Sequence, residues 1–128
     1  YNTPSTGHVL VILDNGTTAM TGQQEHPGTG RHLDGSATYQ VSFEALARAA
    51  GIRNVATVNP VRERAKFKDT LAEALGKDEL SVIIARSPCI LAAGRIAAWE
   101  KEKAALAAKA AEQNPPAEGC GCGCGCQS

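Results

Sequence analysis

The chain has 128 residues and a formal net charge of zero, with 13 basic and 13 acidic residues. This length fits one domain with a modest core. The balanced charge argues against a nucleic-acid partner or an anionic membrane surface. The longest strongly apolar run, residues 9–13, is too short to cross a bilayer, and the first residues do not have the pattern of a signal peptide. We therefore expect a cytoplasmic protein that binds neither nucleic acid nor membrane.

The body of the sequence alternates between apolar runs and helical patterns. Three apolar runs predict strands, at residues 9–13, 54–58 and 80–85. Two amphipathic segments predict helices between them, one starting after Ser42 and ending at Gly51, and one around Phe67 that ends at Gly76. The order predicts an α/β fold with a partial parallel sheet. Because the first run is wholly aliphatic, we expect its strand to be covered on both faces.

Beyond the sheet, the composition changes twice. Residues 91–113 are rich in Ala, Glu and Lys, which predicts a long C-terminal helix. Residues 114–128 are rich in Pro, Gly and Cys, which is typical of a disordered tail. The predicted organisation is a domain over residues 1–91, a helical extension over 92–113 and the tail over 114–128.

Four cysteines in the tail alternate with glycines, at Cys120, Cys122, Cys124 and Cys126. A flexible backbone of this kind could gather thiolates around a soft metal such as zinc or copper(I). The alternative is a tail with incidental thiols. The residues alone leave both interpretations open.

The residues after the first predicted strand are the best candidates for chemistry. Asp14, Asn15 and the glycines and threonines of residues 16–22 supply a carboxylate, an amide and hydroxyls with little bulk. Ligands of parallel sheets bind at the carboxyl ends of the strands. Magnesium takes oxygen ligands together with phosphates, and small residues let backbone amides approach a phosphate. The pattern indicates a metal-bound diphosphate; the alternative is a simple strand-ending turn.

One stretch resembles a known family. Residues 11–30, VILDNGTTAMTGQQEHPGTG, are similar to the large (alpha) subunits of indolepyruvate:ferredoxin oxidoreductases, and the similarity continues to residue 89. The resemblance implies that residues 1–91 are the C-terminal half of a thiamine-diphosphate-binding domain. It further implies that the Asn15 side chain and the Thr17 carbonyl bind Mg²⁺. The diphosphate would then be wrapped by Gly16, Thr18, Ala19, Met20, Thr21 and Gly22, with Asn15 and Thr17 also in contact.

Two neighbours of this loop are given other roles. By the resemblance, Asp14 orients the loop rather than binding metal. His26 lies in the matching stretch and is a weak candidate for facing the substrate. The alternative for His26 is a loop histidine that bonds to its own backbone. No catalytic residue is otherwise assigned.

The implied reaction is the oxidative decarboxylation of an aryl 2-oxoacid such as indolepyruvate to an acyl-CoA, with electrons passed through iron–sulfur clusters to ferredoxin. The implied partners are the remaining half of the domain, a second subunit, ferredoxin and coenzyme A. No Gly-Asp-Gly magnesium motif precedes Asn15, so we expect a fragment that is inactive alone. The Cys-x-Cys spacing does not favour a four-iron cluster in this chain. The alternatives are a non-redox thiamine-dependent decarboxylase or synthase, and a non-catalytic metal-binding remnant.

Overall fold

A computed structural model describes residues 7–113 of the chain. Within that range the strands are β1 (Val9–Asp14), β2 (Asn54–Val58) and β3 (Ser81–Arg86). The α-helices are α1 (Phe43–Ala49), α2 (Arg64–Leu75) and α3 (Ala93–Gln113), and short 3₁₀ turns lie at Ala19–Thr21 and Ile90–Ala92. The predicted α/β fold with a parallel sheet and a C-terminal helix is confirmed. The cysteine-rich tail lies outside the described residues.

The sheet has the order β1-β3-β2, and both strand pairs are parallel. In this register Asp14 of β1 lies opposite Arg86 of β3, and Val58 of β2 lies opposite Ala85. Because the strands are parallel, their carboxyl ends meet at one edge of the sheet. The segments that leave the three strands therefore start close together.

The core is built around β3. Val82 and Ile84 of this strand are buried and pack with Ala47 of α1. Successive side chains of a strand point to opposite faces, so Ile83, which is also buried, lies on the other face. The central strand is thus covered on both sides.

The expectation that β1 is covered on both faces is wrong. Leu10 is 53% exposed and Leu13 is 78% exposed. In the described sheet β1 pairs only with β3 and so lies at an edge. An aliphatic run predicts a strand, but strand order decides how much of it is covered.

Local signals define the ends of α1. The Ser42 hydroxyl accepts a hydrogen bond from the Ala45 amide, which caps the first turn. At the other end Gly51 has a φ of +84°. Its amide donates to Arg48 O, and the next amide, that of Ile52, donates to Ala47 O. This pair of bonds is a Schellman ending, which favours glycine at the left-handed position.

The described residues divide into two compact units, with the division after Ile96. The first four residues of α3 therefore belong to the unit that contains the sheet. None of the helices between residues 7 and 113 is both long and apolar enough to span a membrane.

Because β3 is buried, the same substitution should change the free energy of unfolding differently at two isoleucines. Ile84 is 0% exposed and Ile90 is 91% exposed. Ile84→Val should lower the free energy of unfolding by about 1 kcal/mol, because a buried methylene is removed and its space is only partly refilled. The same change at Ile90 should alter it by less than about 0.5 kcal/mol. Urea denaturation followed by circular dichroism measures both; equal effects would contradict a core centred on β3.

Candidate functional site

The chain turns sharply where β1 ends. The Asp14 carboxylate accepts a hydrogen bond from the Gly16 amide at 3.3 Å, and Asn15 Oδ1 accepts one from the Thr17 amide at 3.1 Å. Gly16 has a φ of +71°, a conformation that L side chains disfavour. Two polar side chains and a glycine therefore fix the path of the backbone at the end of β1.

The segment that follows is closed by its own hydrogen bonds. The Thr18 amide donates to Gln24 O at 3.0 Å, and the Thr17 hydroxyl donates to the same oxygen at 3.2 Å. Thr17 is buried. Between these ends lie a 3₁₀ turn, Ala19–Thr21, and Gly22 with a φ of +107°. We call residues 17–24 the cofactor loop, because the family resemblance implies that they include cofactor-binding residues.

The backbone that follows β3 supports this turn. The Ser87 amide donates to Asp14 O, and the Cys89 amide donates to Asn15 O, each at 2.9 Å. These bonds continue the contact between β1 and β3 past the ends of both strands. The main chain of Asn15 is therefore held from two directions, by its own turn and by the segment after β3.

Charged side chains join the carboxyl ends of the strands. Arg86 Nε donates to Asp14 Oδ2 at 2.7 Å, and Arg86 Nη2 lies 3.0 Å from Glu44 Oε1. The Thr57 hydroxyl of β2 donates to Glu44 Oε1 at 2.8 Å. One network thus links β1, β3, β2 and the first turn of α1. The i,i+4 spacing of Glu44 and Arg48 favours an ion pair within α1, but the Glu44 carboxylate contacts Arg86 instead.

The network changes the ionisation of its members. Partial burial opposes the charge of Glu44, but hydrogen bonds from its own amide, from Thr57 and from Ser42, with the charge of Arg86, outweigh burial and lower its pKa. Burial likewise opposes the charge of Arg86, and the bond to Asp14 and the charge of Glu44 overcome it and raise its pKa. Glu44 and Arg86 are therefore charged at neutral pH.

An open cavity of about 370 Å³ lies beside the turn. Its lining contains five of the eight predicted cofactor-binding residues, namely Asn15, Thr17, Thr18, Ala19 and Met20. Gly16, Thr21 and Gly22 lie outside this lining. The other lining residues are Ile12, Leu13, Asp14, His26 and Phe43. The cavity thus has a polar side formed by the loop and an apolar side formed by β1 and α1.

The oxygens at this site suit part of a magnesium–diphosphate group. Asn15 Oδ1 accepts one bond from Thr17, and an amide oxygen has a second lone pair for a cation. Asp14 is already engaged, since its two oxygens accept from Gly16 and Arg86. Among residues 7–113, no cluster of three or more His, Cys, Asp and Glu side chains could hold a metal. The side-chain oxygen of Asn15 is therefore neutral, and the Asp14 carboxylate beside it is engaged by Gly16 and Arg86.

His26 lies at the cavity but is held by its own loop. Its Nδ1 accepts a hydrogen bond from the Gly28 amide at 3.1 Å, and its ring stacks on Phe43 with centroids 6.4 Å apart. A neutral ring that accepts at Nδ1 has its proton on Nε2. His26 thus bonds to its own backbone and also borders the cavity. The four tail cysteines predicted as soft-metal ligands lie outside the described residues.

Two arginines at the site were not predicted from the sequence. Arg86 directly follows the apolar run of β3, and its register opposite Asp14 could have indicated the pair. Arg95 Nη2 donates to Gln23 O at 2.7 Å and lies 3.5 Å from Thr17 Oγ1. No sequence signal pointed to Arg95, because it belongs to a helix whose charges read as solvent-facing.

The loop of small and polar residues lies at the carboxyl end of a parallel sheet, beside an open cavity, which is where ligands of α/β folds bind. Residues 5–85 match the family described as thiamine pyrophosphate enzyme, C-terminal TPP binding domain. The chain belongs to this family. Thiamine pyrophosphate, or thiamine diphosphate, is thus the cofactor that the domain family binds.

Similar proteins are archaeal. The chain is 49% identical over 83 residues to the indolepyruvate oxidoreductase subunit IorA of Archaeoglobus fulgidus, a match that covers 65% of this chain and 13% of that protein. It is 44% identical over 88 residues to the subunit of the same name from Methanothermobacter marburgensis, covering 69% of this chain and 14% of that protein. The chain thus spans about an eighth of the length of these relatives. No solved structure matches it.

The geometry of the turn predicts different outcomes for two glycines. Gly16→Ala should lower the free energy of unfolding by about 1 kcal/mol, because alanine is strained at positive φ. An added Cβ would also lie 3.2 Å from Ile96 Cδ1. Gly94→Ala, where nothing lies within 4 Å of the added Cβ, should leave stability unchanged or raise it by up to about 1 kcal/mol, since alanine favours a helix. Urea denaturation distinguishes them; a neutral Gly16→Ala would contradict the left-handed turn.

Proposed function

We propose that this chain places the diphosphate and the Mg²⁺ of thiamine diphosphate in an oxidoreductase that acts on indolepyruvate or a similar 2-oxoacid. The observation that carries the proposal is the Asn15 turn, which sets an amide oxygen beside an open cavity in a domain of the thiamine pyrophosphate family. The relatives named indolepyruvate oxidoreductase subunit support the substrate class.

The roles of individual residues follow from their surroundings. Asn15 would bind Mg²⁺ through Oδ1, whose other lone pair is occupied by the Thr17 amide. Thr17 would supply its backbone carbonyl, and the burial of its side chain fixes its position. The small residues Gly16, Thr18 and Ala19, with Met20, Thr21 and Gly22, would surround the diphosphate. Asp14 would keep its charge on Arg86 and orient the turn.

The coordination number of Mg²⁺ supports a further protein ligand. Mg²⁺ prefers six oxygen ligands and is commonly bound by one or two carboxylates with substrate phosphates. The two proposed protein ligands, Asn15 and Thr17, would supply two neutral oxygens, and the anionic diphosphate would supply others and balance the charge of the cation. We propose that a carboxylate from the remaining half of the domain completes the site, and that a second subunit completes the enzyme.

Bound thiamine diphosphate supplies the carbanion chemistry that decarboxylates a 2-oxoacid. The chain's share would be to hold the diphosphate end of the cofactor. The apolar side of the cavity, formed by Ile12, Leu13 and Phe43, would lie against the less polar part of the cofactor or substrate. His26 lines the same cavity and is the candidate for a hydrogen bond to substrate.

The remaining details of the reaction are also proposals. Electrons would pass through iron–sulfur clusters of the full enzyme to ferredoxin, and the acyl group would leave on coenzyme A. A cytoplasmic location fits this chemistry. The domain boundaries at residues 91 and 113, and soft-metal binding by the tail cysteines, remain predictions. A non-redox thiamine-dependent decarboxylase would use the same loop but would not reduce ferredoxin.

The proposal predicts that substitution of Asn15 weakens cofactor binding and that substitution of Asn59 does not. Asn15 and Asn59 both follow a strand, and each Oδ1 accepts a backbone amide two residues on. Titration calorimetry of the full chain should give magnesium-dependent binding of thiamine diphosphate. Asn15→Ala should weaken it by about tenfold or more, the effect of losing one charge-assisted ligand.

Asn59→Ala is the matched control, because it removes the same kind of turn bond from the end of β2. It should leave the affinity within about twofold of wild type, since its loss costs turn stability rather than a metal ligand. Equal losses in both variants, or binding by wild type that does not depend on magnesium, would argue against Asn15 as a ligand.

A further inference from the structure

We infer that Arg95 is a positioning residue for the cofactor loop, so that the start of α3 is part of the cofactor site. This inference rests on the proposed function. Residues 5–85 match the thiamine pyrophosphate family, and Arg95 lies ten positions beyond that match. The site therefore uses a helix that follows the matched domain.

Arg95 contacts the loop where its two ends meet. Its Nη2 donates to Gln23 O at 2.7 Å and lies 3.5 Å from Thr17 Oγ1. Thr17 and Gln23 stand at the two ends of the loop, next to the Thr18–Gln24 bridge that closes it. One guanidinium thus reaches both ends, and its charge strengthens the bond to the carbonyl.

The conformation of Gln23 shows why such a contact is needed. Its φ is +61°, the only positive φ of a non-glycine residue between residues 7 and 113. A residue with a Cβ is strained there and keeps this conformation only where its surroundings impose it. Arg95 bonds to the carbonyl of that same residue. We take the bond to be what keeps Gln23 in this conformation and the loop closed.

Ile96, which follows Arg95 in α3, supports the turn at Gly16. A Cβ built on Gly16 would lie 3.2 Å from Cδ1 of Ile96 and 3.8 Å from its Cγ1. Ile96 therefore packs against the backbone of the turn that holds Asn15. Arg95 and Ile96 are consecutive, and together they contact the turn and the loop. Both belong to the compact unit that contains the sheet.

Loss of Arg95 should loosen the loop without unfolding the domain. Arg95 is exposed and contributes no apolar core. Without Arg95, Gln23 can return to a relaxed φ, and the Thr18–Gln24 bridge opens more often. The loop is then no longer preorganised in the conformation that binds the cofactor. Ordering the loop on binding would then reduce affinity for thiamine diphosphate.

The test uses the full chain with Arg95→Ala, Arg95→Lys and, as the control, Arg62→Ala, an exposed arginine in the turn before α2. Two quantities are measured: the exchange rate of the Thr18 amide by NMR without ligand, and the magnesium-dependent affinity for thiamine diphosphate by calorimetry. Arg95→Ala should raise the exchange rate and weaken the affinity by about fivefold to tenfold each, the effect of losing one charged hydrogen bond.

Two comparisons separate positioning from a general loss of stability. The thermal midpoint of Arg95→Ala should match that of Arg62→Ala, whose loop exchange and affinity should equal those of wild type. Arg95→Lys keeps the charge and one donor to Gln23 O, so it should recover part of both losses. This recovery supports the hydrogen bond as the cause.

The outcomes distinguish the two proposals. If wild type binds the cofactor and Arg95→Ala binds it equally well, the inference is overturned while the proposed function stands. Unchanged exchange of the Thr18 amide in Arg95→Ala also overturns it. If wild type does not bind thiamine diphosphate with magnesium, the proposed function fails in this chain, and a cofactor role for Arg95 fails with it.

Discussion

The ion pair between Asp14 and Arg86 is the contact on which the site depends. It joins the last residues of β1 and β3, which the parallel register places side by side. Because Arg86 also reaches Glu44, the same guanidinium ties α1 to the sheet. The pair occupies the carboxylate nearest the cavity, which leaves Asn15, one residue later, as the first side-chain oxygen for a cation. In the proposed site a neutral amide rather than a charged acid would thus face the diphosphate.

This network joins one strand that is buried to another that is partly exposed. β3 is buried on both faces, so the arginine at its end starts from a fixed point. β1 is an edge strand in the described sheet, with Leu10 and Leu13 exposed. The site therefore lies between the best-packed strand and the least covered one. This arrangement agrees with our proposal that another segment supplies a remaining ligand, because two protein oxygens fill only part of the six positions that Mg²⁺ prefers.

Sequence reasoning succeeded where the signal is local. Ser42 and Gly51 define the ends of α1 through bonds to residues within a few positions, and such signals are visible in the sequence. It failed where the answer depends on which elements are neighbours. The exposure of β1 follows from strand order, which an aliphatic run does not encode. Arg95 lies 72 residues from its acceptor, and only the folded chain brings them together. The proposed cofactor role of the loop came from its resemblance to a family, because its composition alone also allowed a simple strand-ending turn.

A double-mutant cycle on Asp14 and Arg86 tests the account most directly. Asp14→Asn keeps an oxygen for the Gly16 amide and removes only the charge, and Arg86→Gln removes the other charge. The free energy of unfolding in urea is measured for wild type, both single variants and the double variant. We predict a coupling of about 0.5–1 kcal/mol, as expected for a contacting pair whose arginine is partly exposed. Additive losses, with no coupling, would show that the pair does not join β1 to β3 and would contradict the account.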